Sequence, residues 1–174
     1  LILSILDMKD KNYSYDSVFR YLKSGLTGVS DEDIFLLENY VIANGIKGNR
    51  WFDESWNKSI VHSVEEESDD EKLVKINEIK NIVISPIKNL HEKLKGRNTV
   101  KDICKYLYEF TLEIGLFDRI NELVTNFQNE GNLYKAKEYS QVWGSFTAVL
   151  DEMVEFMGEE KIAYSKFINL IKTE

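Results

Sequence analysis

The chain has 174 residues, of which 43% are hydrophobic and 12% aromatic: enough apolar material for an ordered core, and too much for a globally disordered chain. Its length suits one ordinary domain, and one Pro with nine Gly speaks against a turn-rich β-sandwich. The formal net charge of −8 argues against autonomous DNA binding, because a compact DNA-binding module is usually basic.

Apolar residues recur at helical spacing almost throughout. Leu3 and Leu6, joined by Ile2 and Ile5, open the chain with an apolar stripe. Ser14 is placed to cap a helix over residues 15–24, with Gly25 following in the position that favours a left-handed residue. Ser30 begins the next helix, with Asp31, Glu32 and Asp33 in its electropositive first turn. Ile34, Leu37 and Val41 repeat at three and four, and Gly45 stops the pattern. Residues 45–63 read as a loop with one short helical turn, carrying Trp51, Phe52 and Trp56. Ser68 and Glu71 form a capping-box pattern. The acidic run at 65–71, six acids in seven positions, then reads as the solvated entrance of a helix. From Leu73 through Ile76, Ile79, Val83, Ile87, Leu90 and Leu94 the stripe holds its phase across Pro86. Proline inside a helix removes a hydrogen bond and crowds the preceding turn, at about 3 kcal/mol. The segment therefore predicts one long kinked helix, with two helices broken at Ser85, or a strand over 82–84, as competing readings.

Thr99 with Asp102 is a further cap pattern, followed by a stripe of Val100, Ile103, Leu107, Phe110 and Ile114 and punctuated by Gly115. Phe117, Ile120, Val124 and Phe127 form the next stripe, ending near Gly131. A long helix over about 134–157 places Tyr139, Val142, Phe146, Leu150, Met153 and Met157 inward, with Gly144 offering a close helix contact. A short helix covers about 165–172. The whole predicts an all-α fold, an irregular multi-helix bundle of seven to nine helices without a sheet. It forms one subdomain over residues 1–174, with a loop boundary at 45–67.

Catalytic patterns are missing. There is no glycine-rich phosphate loop ending in Gly-Lys-Ser/Thr, and Gly45-x-x-Gly48 is too short to replace one. His91-Glu92 opens like a zinc-protease helix, but Leu94 and Lys95 stand where a second histidine is needed; His62 is not paired with it either. Cys104 is the single cysteine. It cannot form an internal disulfide or, alone, hold a zinc ion or an iron–sulfur cluster, and a reduced cytosolic setting is the default. No signal peptide and no apolar run of about 18 residues are present, which excludes a membrane-spanning helix. No residue is assigned a catalytic, cofactor-binding or metal role. Two basic regions remain. Lys47 and Arg50 stand beside Trp51, Phe52 and Trp56, an interleaving that can hold single-stranded DNA by phosphate contacts and stacking. The competing reading has the tryptophans anchoring the loop on the core with the cations outside. Over 81–105, six Lys or Arg face two acids: Lys88, Lys93, Lys95, Arg97, Lys101 and Lys105, whose plain reading is a solvated helical surface.

Two pieces of the chain carry a resemblance: Phe19-Arg20-Tyr21-Leu22-Lys23-Ser24-Gly25-Leu26, and Leu37-Glu38-Asn39-Tyr40 running into Gly45-Ile46-Lys47-Gly48-Asn49-Arg50-Trp51. They resemble the B subunit of the AddAB-type ATP-dependent helicase–nucleases of low-GC Gram-positive bacteria, which process double-strand DNA breaks for recombination. The match is strongest over 1–56 and looser around 76–94 and around Met157-Gly158-Glu159-Glu160, and we apply it to the full chain. It implies a segment similar to the helical 2B-like insertion of a superfamily 1 helicase-like subunit that has lost its own motor function. Such a segment would be no enzyme itself. It would act in a cytoplasmic complex, shaping the DNA channel or the contact with the A subunit, with that subunit and DNA as partners and no membrane. The ATP, magnesium and iron–sulfur cluster of the parent family would lie elsewhere in the chain or complex, leaving no cofactor here. Lys47, Arg50 and Trp51 are the candidate contact residues. Phe117-Asp118-Arg119-Ile120 is similar to a fragment of the family's nuclease motif but lacks the partner carboxylates, and Asp118 reads as a helix start. The chain opens without an initiator Met and stops just after an apolar stripe. Both ends therefore read as cut from a longer protein, and an insertion would bring them close together. The alternative, towards which the charge of −8 leans, is a free-standing helical adaptor that binds protein only.

Overall fold

A computed structural model describes residues 1–57 and 69–172. Among these residues it contains eight α-helices, one 3₁₀ turn and one two-stranded ribbon, the all-α fold that the apolar spacing predicts. By internal contacts the chain divides into two compact units, Leu1–Gly25 with Val29–Lys88 and Leu26–Gly28 with Asn89–Glu174. Ser68 of the capping-box pattern, His62 and the 58–67 part of the loop lie outside the described residues.

The first unit begins with α1 (Ile2–Asp10), which buries Ile5, Leu6 and Met8 and packs on α2 (Tyr15–Leu22). Ile5 and Leu6 of the expected stripe lie on the buried face, but Leu3 is 42% exposed and Met8 takes its place there. Between the two helices the backbone passes through two left-handed residues, Asn12 and Tyr13 (φ 49° and 46°). The turn is closed by a hydrogen bond from Tyr13 N–H to Met8 O at 2.9 Å. Ser14 caps α2 by accepting from Ser17 N–H at 3.4 Å. The helix ends at Leu22, two positions before the predicted stop. Ser30 caps α3 (Asp31–Asn44) by accepting from Asp33 N–H at 3.1 Å, and Gly45 ends it in the left-handed region (φ 58°), as the spacing predicts. Glu38 ties α3 to α2. Its carboxylate accepts from Lys23 Nζ at 2.6 Å and from the Tyr15 hydroxyl.

The next helix, α4 (Asp69–Lys93), runs unbroken over 25 residues with Pro86 inside it. The two-helix reading and the strand over 82–84 are thereby set aside. Ile76, Ile79, Val83, Ile87 and Leu90 are all buried. Burying each such side chain contributes about 1.5–3 kcal/mol, which outweighs the one hydrogen bond that proline removes.

The second unit holds β1 (Arg97–Thr99), α5 (Val100–Glu113), α6 (Leu116–Asn129), α7 (Leu133–Met157), β2 (Lys161–Ala163) and α8 (Tyr164–Ile171). β1 and β2 pair antiparallel, with Asn98 opposite Ile162, where the spacing predicted no sheet. Three-residue strands are too short to display a period of two. Thr99 caps α5, accepting from Asp102 N–H at 3.1 Å. Both α5 and α6 pack along α7. On α7, Leu150 and Met153 are buried, and Tyr139, Phe146 and Met157 are half-buried, as expected. Val142 is 42% exposed instead. The larger Trp143, one position on, takes the inward place against Tyr108, Phe117 and Phe146. Gly144 makes no close helix contact, since a Cβ there would meet nothing within 4 Å.

Candidate functional site

The segment after α3 is a built turn. Gly45 leaves the last carbonyls of α3 without helical partners. Arg50 supplies a donor, its Nη1 reaching Asn44 O at 2.8 Å and Gly45 O at 3.2 Å, a cation placed where the helix dipole favours one. A 3₁₀ turn, Gly48–Phe52, follows. Gly48 adopts φ 60°, and a Cβ there would stand 3.2 Å from the Asn12 side-chain amide. Its N–H donates to Tyr13 O at 3.4 Å. Tyr13 O also accepts from Trp51 Nε1 at 3.1 Å, so the left-handed Tyr13 is held by the turn it receives.

The tryptophans are structural anchors. Trp51 is 0% exposed, with its ring 6.3 Å from Phe19 and 5.4 Å from Trp56. Trp56 stacks on Tyr40 at 5.4 Å and 9° and donates through Nε1 to Arg50 O at 2.8 Å. Asn77 of α4 clasps the Trp56 backbone from both sides, accepting from its N–H at 2.8 Å and donating to its carbonyl at 2.9 Å. Lys80, 1% exposed, donates through Nζ to Asp53 O at 2.7 Å and Glu54 O at 3.0 Å, and lies 5.4 Å from the centre of the Trp56 ring. Burial holds its ammonium pKa below the usual lysine value. A desolvated cation of this kind needs such partners.

Of the three sequence-predicted contact residues, then, Lys47 is exposed, Arg50 is half-exposed and bonded to the end of α3, and Trp51 is buried. Lys47 is exposed on this hydrogen-bonded turn, while the buried Trp51 offers no free face for stacking. Sequence reasoning missed Lys80 and Asn77. A signal for Lys80 existed, because it lies four residues from Ile76 and three from Val83, in phase with the apolar stripe.

In the second basic region, Lys93 pairs with Glu109 at 2.8 Å and Lys105 approaches Glu109 at 3.8 Å. Lys101 and Lys105 also line a cleft of about 400 Å³ formed by α5 and α7, with Cys104, Tyr108, Leu150 and Asp151. Burial pushes the Cys104 thiol up to about 11, so it is protonated near neutral pH. Among the described residues no group of three or more His, Cys, Asp or Glu could hold a metal ion. One buried, protonated thiol does not fit an iron–sulfur cluster, which takes several thiolates. No helix of the described residues is long and apolar enough to cross a membrane.

The described chain thus belongs to the class of all-α scaffolds whose aromatic and polar groups fix a surface turn. No protein-family model matches it, but curated relatives do. It is 53% identical over 174 residues to the B subunit of the ATP-dependent helicase/deoxyribonuclease of Clostridioides difficile (strain 630), covering 98% of this chain and 15% of that protein. It is 42% identical over 176 residues to the same subunit from Clostridium botulinum (strain Hall), covering 99% of this chain. The corresponding protein of Caldanaerobacter subterraneus subsp. tengcongensis is 41% identical over 174 residues. The chain is therefore a relative, along nearly its whole length, of one stretch of the B subunit of the ATP-dependent helicase/deoxyribonuclease. It spans about 15% of the length of the curated relatives it matches.

Proposed function

We propose that the chain serves as a non-catalytic helical subdomain in the B subunit of an ATP-dependent helicase–nuclease, acting in cytoplasmic double-strand DNA break repair and recombination. The observation that carries this reading is the 53% identity over 98% of the chain to a protein named as such a subunit. The subdomain shapes the DNA channel or the contact with the A subunit, and the ATP, magnesium and iron–sulfur chemistry of the parent belongs elsewhere in the complex. The turn after α3 supports a contact role. Its backbone is fixed by Arg50 and Trp51, and the exposed Lys47 side chain is placed where an anionic group of DNA or of a partner meets it. A pull-down in which the purified chain is the bait and the A subunit the prey, with and without DNA, tests the reading. Capture of the A subunit in either condition supports it; failure in both removes the proposed partner.

A further inference from the structure

The cleft formed by α5 and α7 has a mixed lining. Lys101 and Lys105 stand one turn apart on α5, so they share a rim. The 3.8 Å approach of Lys105 to Glu109 is long for an ion pair, which leaves its ammonium able to turn towards an anion in the cleft. Tyr108 follows one turn on. It is 40% exposed, with the Trp143 ring tilted against it at 5.9 Å. Leu150 and Cys104, both buried, make an apolar floor, and Asp151 adds a carboxylate to the lining. At about 400 Å³ the cleft is in the size range that holds small organic groups.

We propose that this cleft takes one unpaired nucleotide of a single DNA strand, with Lys101 and Lys105 on its phosphates, Tyr108 on the face of the base and Asp151 on the base edge. The choice of DNA rests on the helicase–nuclease reading; the placement rests on the cleft. Two lysines beside an exposed aromatic ring are the elements that hold single strands, cations tracking the backbone and rings stacking on bases. An acidic peptide would meet the same lysines but brings no base to stack on Tyr108. The carboxylate has a use with a base, since it accepts from an exocyclic amino group, which cytosine has and thymine lacks. Cytosine is therefore preferred to thymine.

Fluorescence anisotropy of the chain with labelled oligo(dC) and oligo(dT), over a salt series, tests this. Oligo(dC) binds more tightly than oligo(dT), and Asp151→Asn removes the difference. Replacing Lys101 and Lys105 together by Ala lowers the log–log salt slope by about 1.4, at about 0.7 per single-strand phosphate contact. Tyr108→Ala weakens binding about tenfold and Tyr108→Phe restores it. Matching thermal unfolding of the variants keeps folding defects apart from lost contacts. No binding at low salt, equal affinity for the two oligonucleotides, or binding untouched by the lysine and tyrosine changes overturns the proposal. A slope that falls only on Lys47→Ala also overturns it, while leaving the helicase–nuclease reading standing. That reading fails separately, on loss of A-subunit capture.

Discussion

Lys80 holds together the part of the first unit that carries the outward turn. Its ammonium meets two backbone carbonyls and the Trp56 ring. Lys80→Met keeps the apolar stem but strands both carbonyls, and should cost about 1–3 kcal/mol in urea unfolding; an unchanged midpoint would show that the contacts contribute nothing. Cys104 makes a second prediction. With its pKa raised to about 11 by burial, the native thiol should react with iodoacetamide far more slowly than the unfolded chain near neutral pH, because the thiolate is the nucleophile. Equal rates would contradict that burial. A third concerns Glu38, whose carboxyl is held below the ordinary value of 4.5 by Lys23 first and Tyr15 second. A depressed carboxylate stabilises the fold above its unfolded pKa, and that stability is lost as pH falls through the lower folded value. Glu38→Gln should therefore flatten the acid limb of stability against pH below about 4.5, by a modest amount for so superficial a group. An unchanged limb would mean the pair contributes nothing. At this scale the sequence showed which residues are aromatic or cationic but not which way they face. For Trp51 the sequence favoured packing on the core over stacking on a base, and its full burial and the hydrogen bond from its indole to Tyr13 O bear that out.

Helices were legible where two independent signals agreed. Ser30 and Gly45 bracket α3 because a side-chain cap and a left-handed residue act at its two ends. Pro86 was harder, since a local rule and a long-range pattern conflict there; the unbroken α4 shows the pattern prevailing. Residues 97–99 and 161–163 could not be read as strands, because each depends on a partner more than sixty positions away. On α7 the predicted stripe is one residue out of phase at Val142, an error that a period of 3.6 permits over a long helix. The two glycines that bear on these helices should respond in opposite ways. Gly144→Ala puts a methyl into open space within a helix and should stabilise by about 0.5–1 kcal/mol. Gly45→Ala forces a side chain into the left-handed region (φ 58°) and should destabilise by about 1 kcal/mol. Thermal unfolding of the two variants measures both; shifts of the same sign would refute the assignment of their backbone states.

At the scale of the molecule, a net charge of −8 sits with local cations that either brace the fold, as Lys80 and Arg50 do, or stand outward, as Lys47 does. Composition alone points away from DNA, and the proposed contact rests instead on where the local cations lie, which a sum over the chain does not show. The resemblance to the B subunit was legible from the 19–26 and 37–51 segments, which hold the last turn of α2, the second half of α3 and most of the turn whose packing involves Tyr13, Trp51 and Trp56. The division into two units was not, since helical spacing continues through α4 without marking where contacts change. The central proposal is that the chain contributes binding rather than catalysis to a larger helicase–nuclease, with Lys47 exposed and Arg50 bonded to the end of α3 at the same turn. The most direct test is the salt dependence of DNA affinity for the two-subunit enzyme carrying Lys47→Ala or Arg50→Ala in this segment. The account predicts that Lys47→Ala lowers the log–log slope by about 0.9, one phosphate contact. Arg50→Ala lowers the stability of the segment and leaves the slope nearly unchanged. Affinity and slope both unchanged in the Lys47 variant would contradict the claim and make the turn a purely structural one.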